Sequence, residues 1–280
     1  MAYTELIKFR LSFLVAFSCG FGYLLGASGP INFWLMGMVV FGGFLVSGGS
    51  IIINQILECD IDCLMERTKN RPLPTNRVSK NEAIMLSVIL SFSGLTVLWI
   101  FTNPITVVLS MLSLVLYGFV YTPLKRVGPI AVFVGAIPGA LPPMLGWIAA
   151  TGGISHEAFI IFGIQFIWQF PHFWAIAWLA YDDYKKAGIK LLPSSGEKNF
   201  RTAVQIMIYT LFLIPLGLLP AKFGFTGIDS AIVATICGVL FLAQTFSLMA
   251  NGSLKAAKGI MFMSFLYLPI VQVAFLLDKV

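Results

Sequence analysis

Asn54, Glu58 and Asp62 recur at intervals of four residues in the segment NQILECDIDCLMERTKNRPLP, residues 54–74. On an α-helix this spacing places the three side chains in one stripe along a single face. Carboxylate and amide oxygens are the ligands that Mg²⁺ prefers, and bound Mg²⁺ commonly bridges phosphate groups. The spacing therefore predicts that Asn54, Glu58 and Asp62 hold a divalent metal ion.

Basic residues follow these acids in the same segment. Arg67 and Arg71 are also four apart, and the planar guanidinium group suits bidentate binding of phosphate oxygens. Asp60 faces elsewhere if the helix continues, so it joins the site only if the helix ends early. Acids and bases together predict a site for a metal ion and a diphosphate group. The alternative interpretation is a juxtamembrane loop whose charges neutralise one another.

Two further polar segments are candidates for the same site. YDDYKKAGIKLLP, residues 181–193, and YTPLKR, residues 121–126, carry acids, bases and a tyrosine close together. From them we predict a second acidic point at Asp183 for metal and catalysis, a catalytic Lys125, and substrate-binding roles for Tyr121, Arg126, Asp182, Lys185 and Lys186. Taken singly, each lysine is also explained as a membrane-topology residue.

The rest of the chain is too apolar for a soluble protein. Of its 280 residues only 11% are charged, against about 25% in soluble domains, and apolar stretches long enough to cross a bilayer recur. We predict an all-α polytopic membrane protein, one domain over residues 1–280, with a possible duplicated four-helix unit followed by a ninth helix. The nine predicted spans lie near 9–28, 33–57, 83–102, 104–122, 129–150, 158–181, 202–220, 229–249 and 259–277.

The basic residues also predict the orientation of the chain. Sixteen of the 18 Lys and Arg residues fall at the N-terminus or in the even-numbered connections, which leaves only Lys222 and Lys279 for the other side. By the positive-inside rule the N-terminus is cytoplasmic and the C-terminus external. This distribution explains the net charge of +6 better than a nucleic-acid partner does, because the basic residues form no single stripe.

Three segments resemble the signature segments of the UbiA superfamily of intramembrane prenyltransferases. They are NQILECDIDCLMERTKNRPLP, YTPLKRVGPIAVFVGAIPGALPPMLGW and WQFPHFWAIAWLAYDDYKKAGIKLLP. Within the superfamily, WQFPHF (residues 168–173) and LLP (residues 191–193) point to the branch that modifies haem. Gln169 and His172 lie in the first of these motifs and are predicted to contact the substrate.

The resemblance implies a UbiA-like helical bundle in the bacterial cytoplasmic membrane, with the active-site loops on the cytoplasmic side. It implies transfer of a farnesyl group from farnesyl diphosphate to a vinyl group of haem B, with addition of water and dependence on Mg²⁺. Haem B would be a substrate rather than a permanent cofactor. The lipid bilayer would surround the protein, and haem A synthase, which acts on the product, is an implied partner.

The sequence departs from the superfamily pattern at two places. The first superfamily motif has the form NxxxDxxxD, and Glu58 occupies the place of its first Asp. The second motif is usually DxxxD, but Lys186 and Ala187 stand four residues after Asp182 and Asp183. The resemblance therefore leaves the number of metal ions open.

Other functions are also compatible with parts of the sequence. A prenyltransferase acting on a quinone precursor or another aromatic acceptor would share the first motif. A membrane transporter would share the spans and the possible repeat, although transporters usually carry their charges near the bilayer midplane rather than at one surface. His172, predicted as a ligand or neighbour of haem, also fits a histidine that is hydrogen-bonded between helices.

The charge distribution generates a test of topology. We expect a single cysteine at Thr75 to be labelled by a membrane-impermeant thiol reagent only from the cytoplasmic side, and one at Gly152 only from outside. The measurement is labelling of intact against opened cells. Labelling of the Thr75 position from outside in sealed cells would contradict the orientation.

Overall fold

Nine long apolar helices form the molecule in this computed structural model, which describes residues 2–194 and 196–280. All nine predicted spans are confirmed within those residues. We number them in chain order: α1 Phe9–Gly26, α2 Phe33–Asp62, α3 Lys80–Phe101, α4 Pro104–Leu124, α5 Ile130–Thr151, α6 His156–Leu179, α7 Phe200–Lys222, α8 Ile228–Asn251 and α9 Leu254–Leu277. The described residues form no β-sheet, and the all-α prediction is confirmed.

Short polar residues start most of these helices. The Asn32 side chain accepts the Leu35 N–H at the start of α2, and Ser79 and Glu82 form a reciprocal capping box at the start of α3. Such caps satisfy N–H groups that the helix leaves without partners. They lie at the helix ends, where the polar connections meet the apolar spans.

α5 is the central helix of the bundle. In its most apolar 18-residue stretch 72% of the residues are buried, against 17% in α3, so α3 faces lipid while α5 is enclosed. α5 crosses α1 at very short distance because Gly22 lies against the carbonyl of Pro143, and Gly146 against the carbonyl of Cys19. Small residues permit such close crossings between membrane helices.

α4 is not α-helical throughout. Its first part, Pro104–Val115, is an α-helix, but Leu116–Tyr121 forms a π-helical turn before a last short turn, Thr122–Leu124. Single π-helical turns inside helices are uncommon and frequently occur at functional sites. This turn brings Gly118 against Ile53 of α2.

α2 extends five residues beyond its predicted end, to Asp62. Residues 63–79 then form a series of turns, so Arg67 and Arg71 do not lie on a helix as their spacing suggested. A second polar connection, residues 180–199, follows α6 and contains the short helix Tyr181–Lys186. The predicted four-helix duplication stays a prediction.

The α1–α5 crossing generates a test of stability. A Cβ atom at Gly146 would overlap the Cys19 carbonyl oxygen, so we expect Gly146→Ala to destabilise the protein by ~1–3 kcal/mol, as overpacking typically does. Gly163→Ala in α6 is the control, since nothing lies within 4 Å of the added methyl group. Thermal unfolding in detergent measures both, and equal stability of the two variants would contradict the proposed crossing constraint.

Candidate active site

A cavity of about 840 Å³ opens inside the bundle and contains most of the predicted site residues. This volume lies in the range of small-molecule sites in proteins. The predicted residues that line it are Asn54, Glu58, Asp62, Arg67, Arg71, Tyr121, Lys125, Gln169 and His172. The helices α2, α4, α5, α6 and α9 and the turns after α2 therefore bring residues from distant parts of the sequence into one chamber.

Asn54, Glu58 and Asp62 lie on the same wall of this cavity, as expected for one face of α2. All three side chains are buried. The Asn54 Nδ2 group donates to Thr122 Oγ1 at 3.0 Å, and Thr122 Oγ1 donates in turn to the Tyr117 carbonyl at 2.9 Å. This chain of hydrogen bonds fixes the Asn54 amide and leaves its Oδ1 atom for a ligand.

Each buried acid is paired with a base from another segment. Arg71 contacts Asp62 Oδ2 at 2.6 Å, and Lys125 Nζ lies 2.7 Å from Glu58 Oε1. Removal of a charge from water is costly, and an oppositely charged neighbour offsets part of that cost. The pairs also offset the unfavourable position of acids at the C-terminal end of α2, where the helix dipole is negative.

This group of side chains has the donors that a divalent cation needs. Asp62 Oδ1 is buried and has no hydrogen-bond partner among the described residues, and the amide oxygen of Asn54 and the carboxylate of Glu58 line the same wall. These are hard oxygen donors of the kind that bind Mg²⁺. Within residues 2–194 and 196–280, no group of three or more His, Cys, Asp or Glu side chains is arranged for a metal ion, and this wall offers two carboxylates and one amide.

Arg67 reaches the cavity from the turns after α2. Its guanidinium group donates to the Tyr184 hydroxyl at 3.1 Å and lies over the Tyr184 ring. Tyr184 also lines the cavity, so the second polar connection contributes this aromatic residue to the mouth. Lys125 lies over the Tyr121 ring, 4.5 Å from its centroid.

Asp183 links the two polar connections but does not line the cavity. Its Oδ1 accepts the backbone N–H of Glu66 at 2.9 Å, and its Oδ2 accepts that of Arg67 at 3.1 Å. Burial on its own raises the pKa of Asp183, but these hydrogen bonds and the nearby Lys186 outweigh it and hold the pKa below its ordinary value of 3.8. Asp183 therefore acts on the turns that carry Arg67, and its predicted metal-binding role stays a prediction.

The remaining predicted residues lie at the protein surface rather than on the cavity wall. Asp60 and Arg126 pair with each other at 2.6 Å, and both side chains are about half exposed. Asp182, Lys185 and Lys186 belong to the exposed faces of the short helix Tyr181–Lys186. The early helix end that would turn Asp60 toward the cavity does not occur, because α2 continues to Asp62.

His172 also lines the cavity and is hydrogen-bonded to α9. Ser264 Oγ lies 2.6 Å from the Met261 carbonyl, to which it donates, and 2.8 Å from His172 Nδ1. The neutral tautomer that satisfies both contacts has its proton on Nδ1 and its lone pair on Nε2. The imidazole also stacks on Trp168 at 4.7 Å, and Trp168 donates to the Ser264 carbonyl at 2.9 Å.

Amide side chains form a polar patch farther into the bundle. Gln169 donates to the Ala136 carbonyl at 2.8 Å, and Gln272 approaches Gln165 at 3.4 Å. Gly139 leaves room for the Gln169 amide, since a Cβ atom there would collide with it. Gly135, one turn earlier, likewise leaves room for the Tyr121 ring.

Several residues of the site were not predicted from the sequence. Lys8, Tyr117 and Tyr184 line the cavity, while Thr122 and Ser264 orient Asn54 and His172. Tyr117 lies four residues before Tyr121, which is a local signal. Ser264 comes from α9, some 90 residues after His172, and no sequence pattern connects the two.

Nine helices among residues 2–194 and 196–280 surround a chamber with acids and bases at one end, and residues 15–266 match the UbiA prenyltransferase family, a class of intramembrane prenyltransferases. The chain belongs to that family. It is 52% identical over 279 residues to the protoheme IX farnesyltransferase of Cytophaga hutchinsonii, covering 100% of this chain and 98% of the relative. The protoheme IX farnesyltransferase of Flavobacterium psychrophilum is 44% identical over 284 residues, with 99% and 94% covered.

Solved structures share the fold at lower identity. A structure described in connection with digeranylgeranylglyceryl phosphate synthase aligns with a TM-score of 0.82 and 22% identity, covering 99% of this chain and 97% of the other. A UbiA homologue from Archaeoglobus fulgidus bound to GPP and Mg²⁺ aligns with a TM-score of 0.67 and 17% identity, covering 98% and 99%. These structures show the fold, while the family match and the full-length relatives identify the chain as a prenyltransferase rather than a transporter.

The contact between the two polar connections generates a test. We expect Asp183→Ala to mobilise residues 63–79, because it leaves two backbone N–H groups without their acceptor. Asp182→Ala, an exposed neighbour, is the control. Hydrogen exchange at Glu66 and Arg67 should accelerate at least ~10-fold in the first variant only.

In the unaltered protein the same contact has a predicted pH dependence. Folding lowers the pKa of Asp183 below its ordinary value of 3.8. The stabilisation by Asp183 is therefore fully present above pH 3.8 and is lost as the pH falls through the lowered pKa. If Glu66 and Arg67 were equally protected from hydrogen exchange in Asp183→Ala and Asp182→Ala at neutral pH, Asp183 would not hold the turns.

Proposed function

We propose that this protein transfers the farnesyl group of farnesyl diphosphate to a vinyl group of haem B, with addition of water, to give haem O and diphosphate. The full-length identity to relatives named protoheme IX farnesyltransferase carries this proposal. The geometry supports it because one cavity combines an acidic wall, basic groups beside that wall and a histidine.

The proposed diphosphate position is the cytoplasmic mouth. Asn54, Glu58 and Asp62 would hold the divalent metal, which neutralises diphosphate charge when bound. Arg67, Arg71 and Lys125 would supply hydrogen bonds to diphosphate oxygens. Arg71 and Lys125 already contact the acids. A bound metal ion and diphosphate would therefore bind among charges that are already paired, rather than beside isolated charges. The approaching anion would meet an electrostatic potential set by the charged surface residues Asp60, Asp182, Lys185, Lys186 and Arg126.

The reaction follows from this arrangement of charges. The bond between farnesyl C1 and oxygen breaks, and its electron pair remains on the diphosphate that the basic groups stabilise. The haem vinyl group forms the new carbon–carbon bond to C1, which leaves a cation on the adjacent carbon. Water adds to that cation and releases one proton. Tyr117 and Tyr121 line the chamber, and their aromatic rings would stabilise positive charge.

His172 is proposed to orient haem. Its Nδ1 atom donates to Ser264, so the Nε2 lone pair is available to the haem iron, and imidazole is a common axial ligand. Stacking on Trp168 limits rotation of the ring. Gln169 would contribute a polar group deeper in the same chamber.

The proposed location is the bacterial cytoplasmic membrane, with a cytoplasmic N-terminus and active-site mouth and an external C-terminus. The distribution of Lys and Arg supports this orientation. A haem product with a long apolar chain would remain in the bilayer. Direct transfer to haem A synthase is therefore a proposed partnership.

The direct test of function uses the purified protein with haem B, farnesyl diphosphate and Mg²⁺. We expect a product heavier than haem B by one farnesyl group and one hydroxyl, detected by mass spectrometry. An enzyme that prenylates 4-hydroxybenzoate and leaves haem unchanged would retain the family activity but contradict the proposed acceptor.

The acidic wall generates a prediction on catalysis. Asp62→Asn preserves shape but removes the charge, so turnover should fall at least ~10²-fold and the Mg²⁺ requirement should rise. Glu58→Asp is the matched variant, since it keeps the charge and shortens the side chain by one methylene, and its effect should be much milder. Initial rates against Mg²⁺ concentration with saturating haem measure both. Near-full activity of Asp62→Asn with an unchanged Mg²⁺ requirement would contradict the proposed metal site.

The histidine generates a separate prediction on the acceptor. His172→Ala should weaken haem binding at least ~10-fold, the usual size of a ligand effect, while farnesyl diphosphate binding changes little. The haem absorption band during titration measures the first property, and competition with labelled farnesyl diphosphate measures the second. Unchanged haem affinity and spectrum would assign His172 to helix packing instead.

A further inference from the structure

Lys8 lies at a constrained bend between the short helix Ala2–Leu6 and α1. Its backbone is left-handed, with φ 45° and ψ 59°, a conformation that residues other than glycine rarely adopt. The buried Gln55 side chain of α2 donates to the Leu6 carbonyl, and Ser12 Oγ donates to the Ile7 carbonyl at 2.7 Å. The bend is therefore fixed from both sides, and non-glycine residues in such conformations are concentrated at functional sites.

The Lys8 side chain lines the reaction cavity together with Asn54, Glu58 and Asp62. The two carboxylates of that wall are already paired, one with Lys125 and the other with Arg71. Lys8 takes part in none of the ion pairs found among residues 2–194 and 196–280. The cavity thus contains a basic side chain in addition to those that neutralise its acids.

The surroundings of Lys8 disfavour its charge until an anion arrives. Burial, together with the neighbouring cations Arg71 and Lys125, lowers the pKa of Lys8 to about 7, against a smaller opposing effect of Glu58. A polyanion placed among these groups would favour the charged ammonium form. The position of the amine, rather than its titration, is what selects a phosphate-bearing ligand.

We infer that Lys8 binds the diphosphate group of the prenyl substrate and stabilises it as it leaves. This inference rests on the proposed function. While the C1–oxygen bond breaks, the electron pair stays on the diphosphate oxygen, and Lys8 donates hydrogen bonds to that group without giving up a proton. The sequence assigned Lys8 to membrane topology only, yet the fixed bend directs its amine inward.

The test compares Lys8→Met, Lys8→Arg and Arg10→Gln by binding of labelled farnesyl diphosphate with Mg²⁺ and without haem, and by competition with inorganic pyrophosphate. Arg10 is the matched control because it is an exposed cation two residues away. Loss of a hydrogen bond to a charged group should weaken both ligands about 10- to 100-fold in Lys8→Met. Lys8→Arg should retain most of the affinity, and Arg10→Gln should resemble the unaltered protein.

A second measurement does not depend on how the variants fold. In the unaltered protein, Mg²⁺ with pyrophosphate should slow reductive methylation of Lys8 but not that of exposed Lys80, as read by peptide mass spectrometry. Equal methylation rates with and without pyrophosphate, or full affinity in a folded Lys8→Met variant, would overturn the inference. If the unaltered protein bound pyrophosphate but did not farnesylate haem, the proposed acceptor would fail while the role of Lys8 stood.

Discussion

The two buried ion pairs at the end of α2 are the interactions on which the site depends. Glu58 and Asp62 lie in an apolar bundle at the end of a helix where negative charge is least favourable, and each is matched by a base from elsewhere. Lys125 comes from the end of α4, and Arg71 from the turns after α2. The charges of the site therefore fix the relative positions of these segments. Apolar packing alone would not fix them, since it has little directional preference.

The spans could be predicted from sequence because their cause is local. Twenty apolar residues in a row have few alternatives to a membrane helix, and all nine appeared where hydropathy placed them. The stripe of Asn54, Glu58 and Asp62 was equally local, since helix periodicity fixes which side chains share a face. The first motif therefore required only the assumption that α2 continues to its last acid.

The rest of the site depends on contacts between distant segments. Lys125 and Arg126 are adjacent in the sequence, yet Arg126 pairs with Asp60 at the surface while Lys125 enters the cavity. Asp183 was predicted beside a metal ion, a role that stays a prediction, but its hydrogen bonds to two backbone N–H groups of the turns after α2 could not be predicted. Such distinctions follow from how loops fold back, and spacing along one segment contains no information about that.

The π-helical turn at Leu116–Tyr121 sets the register of everything after it. Such a turn accommodates one residue more than an α-helical turn, and one residue corresponds to about 100° of rotation on an α-helix. Deletion of a single residue there would let ordinary helical hydrogen bonds close and would rotate Thr122 away from Asn54 and Lys125 away from Glu58. The length of this segment is thus under a stricter constraint than its composition. A family member that lacks one residue in this turn would have a chamber with a different arrangement of side chains.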